Sequence, residues 1–267
     1  MHRHIALGLL AVAAASSLAS AGLTQSQTFT GAPVVFNNGA GSGFGGQLGN
    51  GGSLSFNVVG ANLAVTYTPS STTDGNIVAV WLDTRSGGFT DAQLDDRGDG
   101  SRTALTQPIN GFGDNSPMAS ANSNLNFPGL GATADNRILP EYGLTFGNFG
   151  AVSFELTSGS LNFLTFNGAG AGVSRTVEVS LASLGNPSII NFFSALVSDS
   201  GYASNESLPG GSLQDTGNPG FGDERFGGAP APQGGFGINN FNQVVIPEPA
   251  ALGLLAMPAL ALVRRRK

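Results

Sequence analysis

Residues 53–68 have the sequence SLSFNVVGANLAVTYT. Polar and apolar residues alternate over residues 53–58, and the same alternation returns over residues 62–68. A period of two is typical of a β-strand with one buried face, because successive side chains of a strand point to opposite sides. Gly60 and Ala61 separate the two runs and predict a turn between them. The stretch therefore predicts an antiparallel β-hairpin.

The rest of the chain continues this pattern. Residues 77–82 are apolar without interruption, which predicts a central strand buried on both faces. Further strands are predicted at residues 151–157, 161–166, 176–181, 189–197 and 238–246. The chain has 41 glycines, is only 10% charged, and shows no amphipathic helix between the strands, which disfavours helix bundles and parallel α/β sheets. We predict an all-β domain over residues 22–246, an antiparallel β-sandwich or jelly roll with long Gly-rich loops at residues 39–52 and 209–237.

The first 21 residues have the three zones of an export signal. Residues 1–4 carry the positive charge, residues 5–15 are apolar, and Ala19-Ser20-Ala21 matches the A-x-A cleavage pattern. A buried N-terminal helix is the alternative, but the apolar run lacks the charged face that an amphipathic helix would show. We expect residues 1–21 to be a signal peptide that is cleaved after Ala21.

The last 21 residues have a matching organisation. Pro247-Glu248-Pro249 is followed by the 14 uncharged residues 250–263 and then by four basic residues. A basic cluster beside an apolar run stays on the cytoplasmic side, so the preceding chain would face outward. As a helix, the apolar run would span about 21 Å, less than the roughly 30 Å of a bilayer core. This length favours a transient membrane segment over a lasting anchor.

Together with the export signal, this tail resembles the PEP-CTERM sorting domain of bacterial exosortase substrates. The resemblance implies export by the cell's export machinery, recognition by an exosortase-like membrane enzyme, transient insertion of the tail in the inner membrane, and release or attachment at the cell surface. Members of this family are often linked to exopolysaccharide and the biofilm matrix. An ordinary tail anchor that is never cut is the alternative. The resemblance assigns the recognition motif to Pro247, Glu248 and Pro249, the membrane helix to residues 250–263, and the stop signal to Arg264, Arg265, Arg266 and Lys267.

Missing residue types exclude much enzyme chemistry from the exported body. Both histidines, His2 and His4, lie in the signal, Cys is absent, and the single lysine is Lys267. Catalytic Ser-His-Asp triads, thiol nucleophiles, thiolate or imidazole metal sites and Schiff bases are therefore excluded. Residues 22–249 hold six arginines against 17 carboxylates, a net charge of −11, which disfavours a nucleic-acid partner. We expect a non-catalytic protein.

Three glycines match a dinucleotide-binding fingerprint. Gly41, Gly43 and Gly46 have the G-x-G-x-x-G spacing. Phosphate binding at this motif requires a helix directly after the glycines, whereas an alternating strand follows from Ser53. We predict an ordinary loop.

Aspartates are concentrated in residues 83–99, where five occur. We expect no cofactor, but calcium binds several carboxylate oxygens on a flexible loop, so a structural calcium site is one hypothesis for this segment. Arg85, Arg97 and Arg102 offer the alternative of a solvated loop neutralised by ion pairs. The candidate ligands are Asp91, Asp95, Asp96 and Asp99.

Carboxylate-pair hydrolysis needs only two acidic side chains at the right separation. Glu141, Glu155 and Glu178 are the candidates, although a solvated carboxylate is the ordinary role of a glutamate in an alternating strand. For sugar binding, Trp81 lies in an apolar run and is expected in the core. Tyr142 and Tyr202 each lie beside a glycine and are expected to be exposed, so they are the candidate ligand-binding residues.

A second resemblance covers residues 77–209. The segments WLDT at residues 81–84, VEVSL at 177–181 and GYASNESLPG at 201–210 resemble DOMON-like and carbohydrate-binding-module-like β-sandwiches. The resemblance implies a sandwich and contact with a glycan or matrix, for which exopolysaccharide is the candidate partner. The expected function is that of a non-catalytic surface or extracellular-matrix protein. A glycan-binding module and a carboxylate-dependent glycoside hydrolase are the alternatives.

Overall fold

The computed structural model describes residues 23–70, 75–85, 96–106, 108, 140–157, 160–168, 174–212 and 240–247. The predicted signal peptide and residues 248–267 of the predicted sorting tail lie outside these ranges. Within them lie twelve strands, β1 Leu23–Thr28, β2 Val34–Phe36, β3 Ser53–Val59, β4 Asn62–Thr68, β5 Ile77–Asp83, β6 Tyr142–Gly147, β7 Gly150–Thr157, β8 Ser160–Asn167, β9 Arg175–Ser180, β10 Ile189–Val197, β11 Ala203–Leu208 and β12 Phe241–Val245, and one helix, α1 Gly100–Thr106.

The predicted hairpin is confirmed. β3 pairs antiparallel with β4, and Val59 faces Asn62 across a turn in which Gly60 has a φ of 60°. Glycine suits this position because a side chain disfavours positive φ. Phe56 and Val65, which are partners across the hairpin, are both buried.

The described part of the chain is mostly β, as predicted, with one short helix, and its strands form two sheets. The large sheet has the order β1-β12-β10-β5-β6-β7-β8, with β11 also paired to β10, and the small sheet has the order β2-β3-β4-β9. The pairings are antiparallel except for β1 with β12. The predicted central strand is confirmed, since every residue of β5 is buried and β5 lies between β10 and β6.

The main core contains side chains from both sheets. Phe36 and Phe56 of the small sheet contact Phe192 of the large sheet, with ring centroids 5.0 and 4.5 Å apart. Burial of such rings stabilises a fold strongly, because each removes a large apolar area from water. These contacts join the two sheets.

The opposite face of the large sheet is also buried. The Trp81 ring stacks on Phe193 with centroids 4.7 Å apart, and its Nε1 donates to Leu105 O in α1 at 3.2 Å. Trp81 is therefore a core residue, as predicted. The helix was not predicted, because its seven residues, about two turns, leave little periodicity in the sequence.

Strand register brings distant segments to one end of the large sheet. At the start of β10, Ile189 pairs with Val245, the last residue of β12. Two positions further along β10, Asn191 pairs with Asp83, the last residue of β5. At the same end, Tyr142 pairs with Leu82 and with Glu155. The end of β5, the start of β6, the end of β7 and the exit of the chain from β12 therefore lie at the same edge of the fold. Across the described part of the chain, no helix has the length and apolar character needed to cross a membrane.

Candidate carboxylate and aromatic sites

Two of the three candidate glutamates converge on one arginine at this end of the sheet. Arg85 follows β5, Glu141 precedes β6 and Glu155 lies in β7. The Nε of Arg85 is 4.0 Å from Glu141 Oε1, and its Nη2 is 3.9 Å from Glu155 Oε1. The third candidate, Glu178, lies in the small sheet, where Asn62 Nδ2 donates to it at 3.3 Å.

Backbone hydrogen bonds to two strands hold Glu141 in a buried position. Its N–H donates to Leu82 O at 3.0 Å, and its carbonyl accepts from Leu156 N at 2.7 Å, which ties the residue to β5 and β7. Its Oε2 accepts from Thr84 N at 2.9 Å and from Thr84 Oγ1 at 3.3 Å. Its Oε1 is buried without a hydrogen-bond partner.

Burial raises the pKa of Glu141 to about 7, although the Thr84 N–H and the Arg85 guanidinium act to lower it. Glu155 is one-third exposed. A carboxyl that holds its proton near neutral pH beside an exposed carboxylate is the arrangement used in acid–base hydrolysis. However, the Glu141 side chain is only 2% exposed, and its unpartnered oxygen is not accessible to solvent. The arrangement joins the ends of three strands and does not present an open pair of carboxylates.

Tyr142 is not exposed, so that expectation is wrong. It is 1% exposed, and its side chain lies in the main core because β6 is an interior strand with β5 on one side and β7 on the other. Its hydroxyl donates to Ser183 O, and burial raises its pKa. The neighbouring glycine has a packing role: a Cβ on Gly143 would collide with the side chain of Leu105. Tyr202 is partly buried, with its ring centroid 6.2 Å from that of Phe44.

The two most exposed aromatic side chains among the described residues lie in β8. Phe163 is 57% exposed and Phe166 is 53% exposed. Phe163 pairs with Phe154 and Phe166 pairs with Val152, so the two rings lie on the same face of the sheet. Among the described residues, β8 is an edge strand that pairs with β7 alone. Sequence reasoning missed this pair because it considered only Trp81, Tyr142 and Tyr202 for sugar binding.

The aspartate cluster is only partly described, since Asp91 and Asp95 lie outside the described residues. Asp96 Oδ2 accepts from Arg102 Nη1 at 2.6 Å. Burial acts to raise the pKa of Asp96, but the Gly98 N–H and Arg102 outweigh it and hold the pKa below its ordinary value. Asp99 Oδ2 is 3.4 Å from Arg102 Nε.

Asp99 also has a local structural role. Its Oδ1 accepts from Arg102 N at 2.9 Å at the start of α1, which is the geometry of a helix N-cap. In the described part of the chain, no three metal-ligating side chains lie close enough to hold an ion. Asp96 and Asp99 are thus ion-paired with Arg102, as in the alternative to a calcium site. Calcium binding stays a prediction.

The glycine motif forms a folded loop against β11. Glu206 Oε1 accepts from Phe44 N and Gly46 N, each at 2.8 Å, and its Oε2 accepts from Leu48 N at 3.2 Å. Asn205 Oδ1 accepts from Gly43 N at 3.0 Å. The loop therefore presents backbone N–H groups to an anion, as glycine-rich loops do, but the anion is a carboxylate of the same chain. The prediction of a loop is confirmed, and sequence reasoning missed Glu206 because no local pattern distinguishes it.

Comparison of the chain with protein-family models, with curated proteins and with solved structures found no match. Function is therefore inferred from the chain's own residues.

Proposed function

We propose that this chain is an exported, non-catalytic component of the bacterial cell surface or extracellular matrix, with a β-sandwich body between two removable ends. The export machinery and an exosortase-like membrane enzyme would process the chain, and exopolysaccharide would be its partner in the matrix. The observation that carries the proposal is the position of the folded strands. β1 begins at Leu23, two residues after the predicted signal cleavage, and β12 ends at Val245, two residues before the predicted sorting motif.

The described strands nearest the two predicted ends lie side by side in the large sheet. β1 and β12 pair from Leu23 with Phe241 to Thr28 with Val245, with a register shift between Leu23 and Gln25. The strongly acidic composition of the body and its lack of Cys, His and Lys are compatible with a surface role that requires no disulfide and no nucleophile.

The test is the intact mass and location of the protein in its native host. We expect the mature chain outside the cytoplasm, with Gly22 as its first residue and without the basic C-terminus. Replacement of Pro247-Glu248-Pro249 by three alanines should leave the signal cleavage unchanged and should retain the tail. Recovery of the body from the cytosol with Met1 and Lys267 in place would overturn the proposal.

Glycan binding is the second candidate function, and the exposed rings of Phe163 and Phe166 favour it. Sugar faces stack on exposed aromatic rings, and Phe163 and Phe166 lie on one face of β8. β8 itself carries no charge, and Arg102 and Asp96, which contact its residue Leu161, are paired with each other, so a neutral polymer would bind without leaving an ion unpaired. A second copy of the chain is a less suitable occupant, because two bodies of charge −11 repel each other.

Retention of the purified protein on an array of neutral polysaccharides tests this second function. Phe163→Ala combined with Phe166→Ala should abolish specific retention. Phe149→Ala is the matched control, since Phe149 is also partly exposed but lies in the turn between β6 and β7. Equal retention of the double variant and the wild type would exclude this surface as the glycan site.

The hydrolase alternative stays a prediction with its own test. Glu141→Gln or Glu155→Gln should abolish any turnover of a glycoside if the Arg85 cluster were catalytic.

A further inference from the structure

The last strand of the large sheet runs into the predicted sorting motif without a spacer. β12 ends at Val245, and Ile246 is 8% exposed. The N–H of Ile246 donates to Ser188 O at 2.8 Å, and the N–H of Phe29 donates to Val245 O at 2.8 Å. Pro247 therefore directly follows a residue that the fold holds in place.

β12 is also an interior strand. It pairs with β1 on one side and with β10 on the other, so both of its backbone edges are occupied. A strand in this position offers no free edge to an enzyme, unlike a strand at the border of a sheet.

Side-chain amides fix the register of β12. Gln243 Nε2 donates to Asn191 Oδ1 at 3.0 Å, and Ser26 Oγ donates to Gln243 Oε1 at 3.0 Å. On the opposite face of the strand, the amides of Asn242 and Asn38 exchange two hydrogen bonds, of 3.0 and 2.9 Å. Buried polar contacts of this kind favour one register, because a shifted strand would leave them unsatisfied.

An enzyme that cuts at or near Pro247 needs the flanking residues in an accessible conformation. Cleavage of a folded protein generally proceeds through a locally opened state, and its rate follows the population of that state. We propose that β12 couples folding of the body to processing of the tail: the residues that lead into Pro247 are available to the membrane enzyme only while the end of β12 is undocked from β1 and β10. This inference rests on the function proposed above.

The coupling gives the tail two opportunities to be processed. The first precedes the docking of β12, while the newly exported chain is still folding. The second requires the folded protein to open, which breaks the Ile246 and Val245 hydrogen bonds and exposes Val244, which is 1% exposed in the folded state. Folded chains should therefore lose the tail slowly. Chains that meet the membrane enzyme before β12 has docked should lose it fast.

A spacer between Ile246 and Pro247 separates the motif from the strand and tests the coupling. Eight alternating Gly and Ser residues are inserted there in the full chain, which is then expressed in the native host. Tail loss is followed by intact mass after pulse labelling. In chains that have already folded, the spacer variant should lose the tail at least about tenfold faster than the wild type, because the motif no longer depends on opening of β12. Equal thermal stability of the two purified proteins verifies that the spacer leaves the fold unchanged.

Two further variants separate length from docking. The same eight residues inserted between Pro232 and Gln233 lengthen the chain but leave Ile246 joined to Pro247, so the processing rate should match the wild type. Val244→Ala adds no length but weakens packing of β12, so it should accelerate tail loss several-fold.

The outcomes distinguish this inference from the proposed function. Equal rates of tail loss in the spacer variant and in the wild type, both folded, would overturn the coupling and leave the sorting proposal in place. Retention of the tail in every variant, at all times after export, would overturn the sorting proposal and the coupling with it.

Discussion

Glu206 and Glu141 are both buried glutamates, but their surroundings differ. The carboxylate of Glu206 accepts three backbone N–H groups from the loop at residues 39–52. That of Glu141 has Thr84 on one oxygen and no hydrogen bond on the other, with Arg85 at 4.0 Å. The backbone donors aimed at a buried glutamate, and not its burial alone, therefore determine how firmly its side chain is tied to the fold.

The largest expected effect comes from Glu206→Gln. The amide oxygen can still accept from Phe44 N and Gly46 N, but the NH₂ group then faces Leu48 N and leaves that buried N–H unsatisfied. We expect the free energy of unfolding to fall by about 4 kcal/mol, measured by chemical denaturation of the exported protein. Glu178→Gln is the control, because Glu178 is an exposed residue of β9. Comparable losses for the two variants would contradict the anchoring role of Glu206.

Replacement of Glu141 by Gln should instead increase the free energy of unfolding above neutral pH. Its pKa is about 7 in the folded protein against 4.5 in an unfolded chain, so the folded state holds the proton more tightly. Its contribution to stability is therefore greatest below pH 4.5 and is lost as the pH rises to about 7 and beyond. The loss is about 3 kcal/mol for a shift of this size.

Glu141→Gln removes this titration, so the variant should be more stable than the wild type at pH 8, and the difference should shrink as the pH falls. Denaturation of both proteins between pH 4 and pH 8 measures it. Parallel stability curves over that range would show that Glu141 does not titrate as proposed.

A smaller effect is expected at Asp99, whose carboxylate is satisfied by a backbone donor as that of Glu206 is. Asp99→Ala removes the N-cap of α1 and should reduce the free energy of unfolding by about 1 kcal/mol. Asp99→Asn is the conservative comparison, since its amide oxygen can still accept from Arg102 N. If alanine and asparagine destabilise equally, the cap is not the source of the effect.

The smallest expected effect is that of a chelator. Arg102 already pairs with Asp96 and Asp99, so we expect the Tm to remain unchanged on treatment with EDTA. A fall in Tm that added calcium restores would instead support the predicted site at Asp91, Asp95, Asp96 and Asp99.

Local patterns in the sequence were sufficient to predict much of the sheet. The hairpin of β3 and β4 and the buried strand β5 follow from the spacing of apolar residues within each segment. β8 shows the limit of this approach. Ser153 of β7 pairs with Thr165 and the next residue, Phe154, pairs with Phe163, so Leu164 is an extra, unpaired residue in β8. Phe163 and Phe166 thereby share a face although their separation is odd.

The sites depend on contacts between distant residues, which a single sequence does not reveal. Arg85 meets Glu141 and Glu155 only after three strands have paired, and Glu206 meets Gly46 across 160 positions. Tyr142 was assigned to the surface because it precedes a glycine, whereas Gly143 makes room for Leu105. In each case the neighbour that decides the role comes from another part of the chain.

The interior position of β12 also has a mechanical consequence. A force applied at Pro247 along the strand would pull against the backbone hydrogen bonds to β1 and β10 together, as a shear load, and would not peel them apart one at a time. Paired strands on both flanks thus make the C-terminal exit a point of attachment that can carry tension.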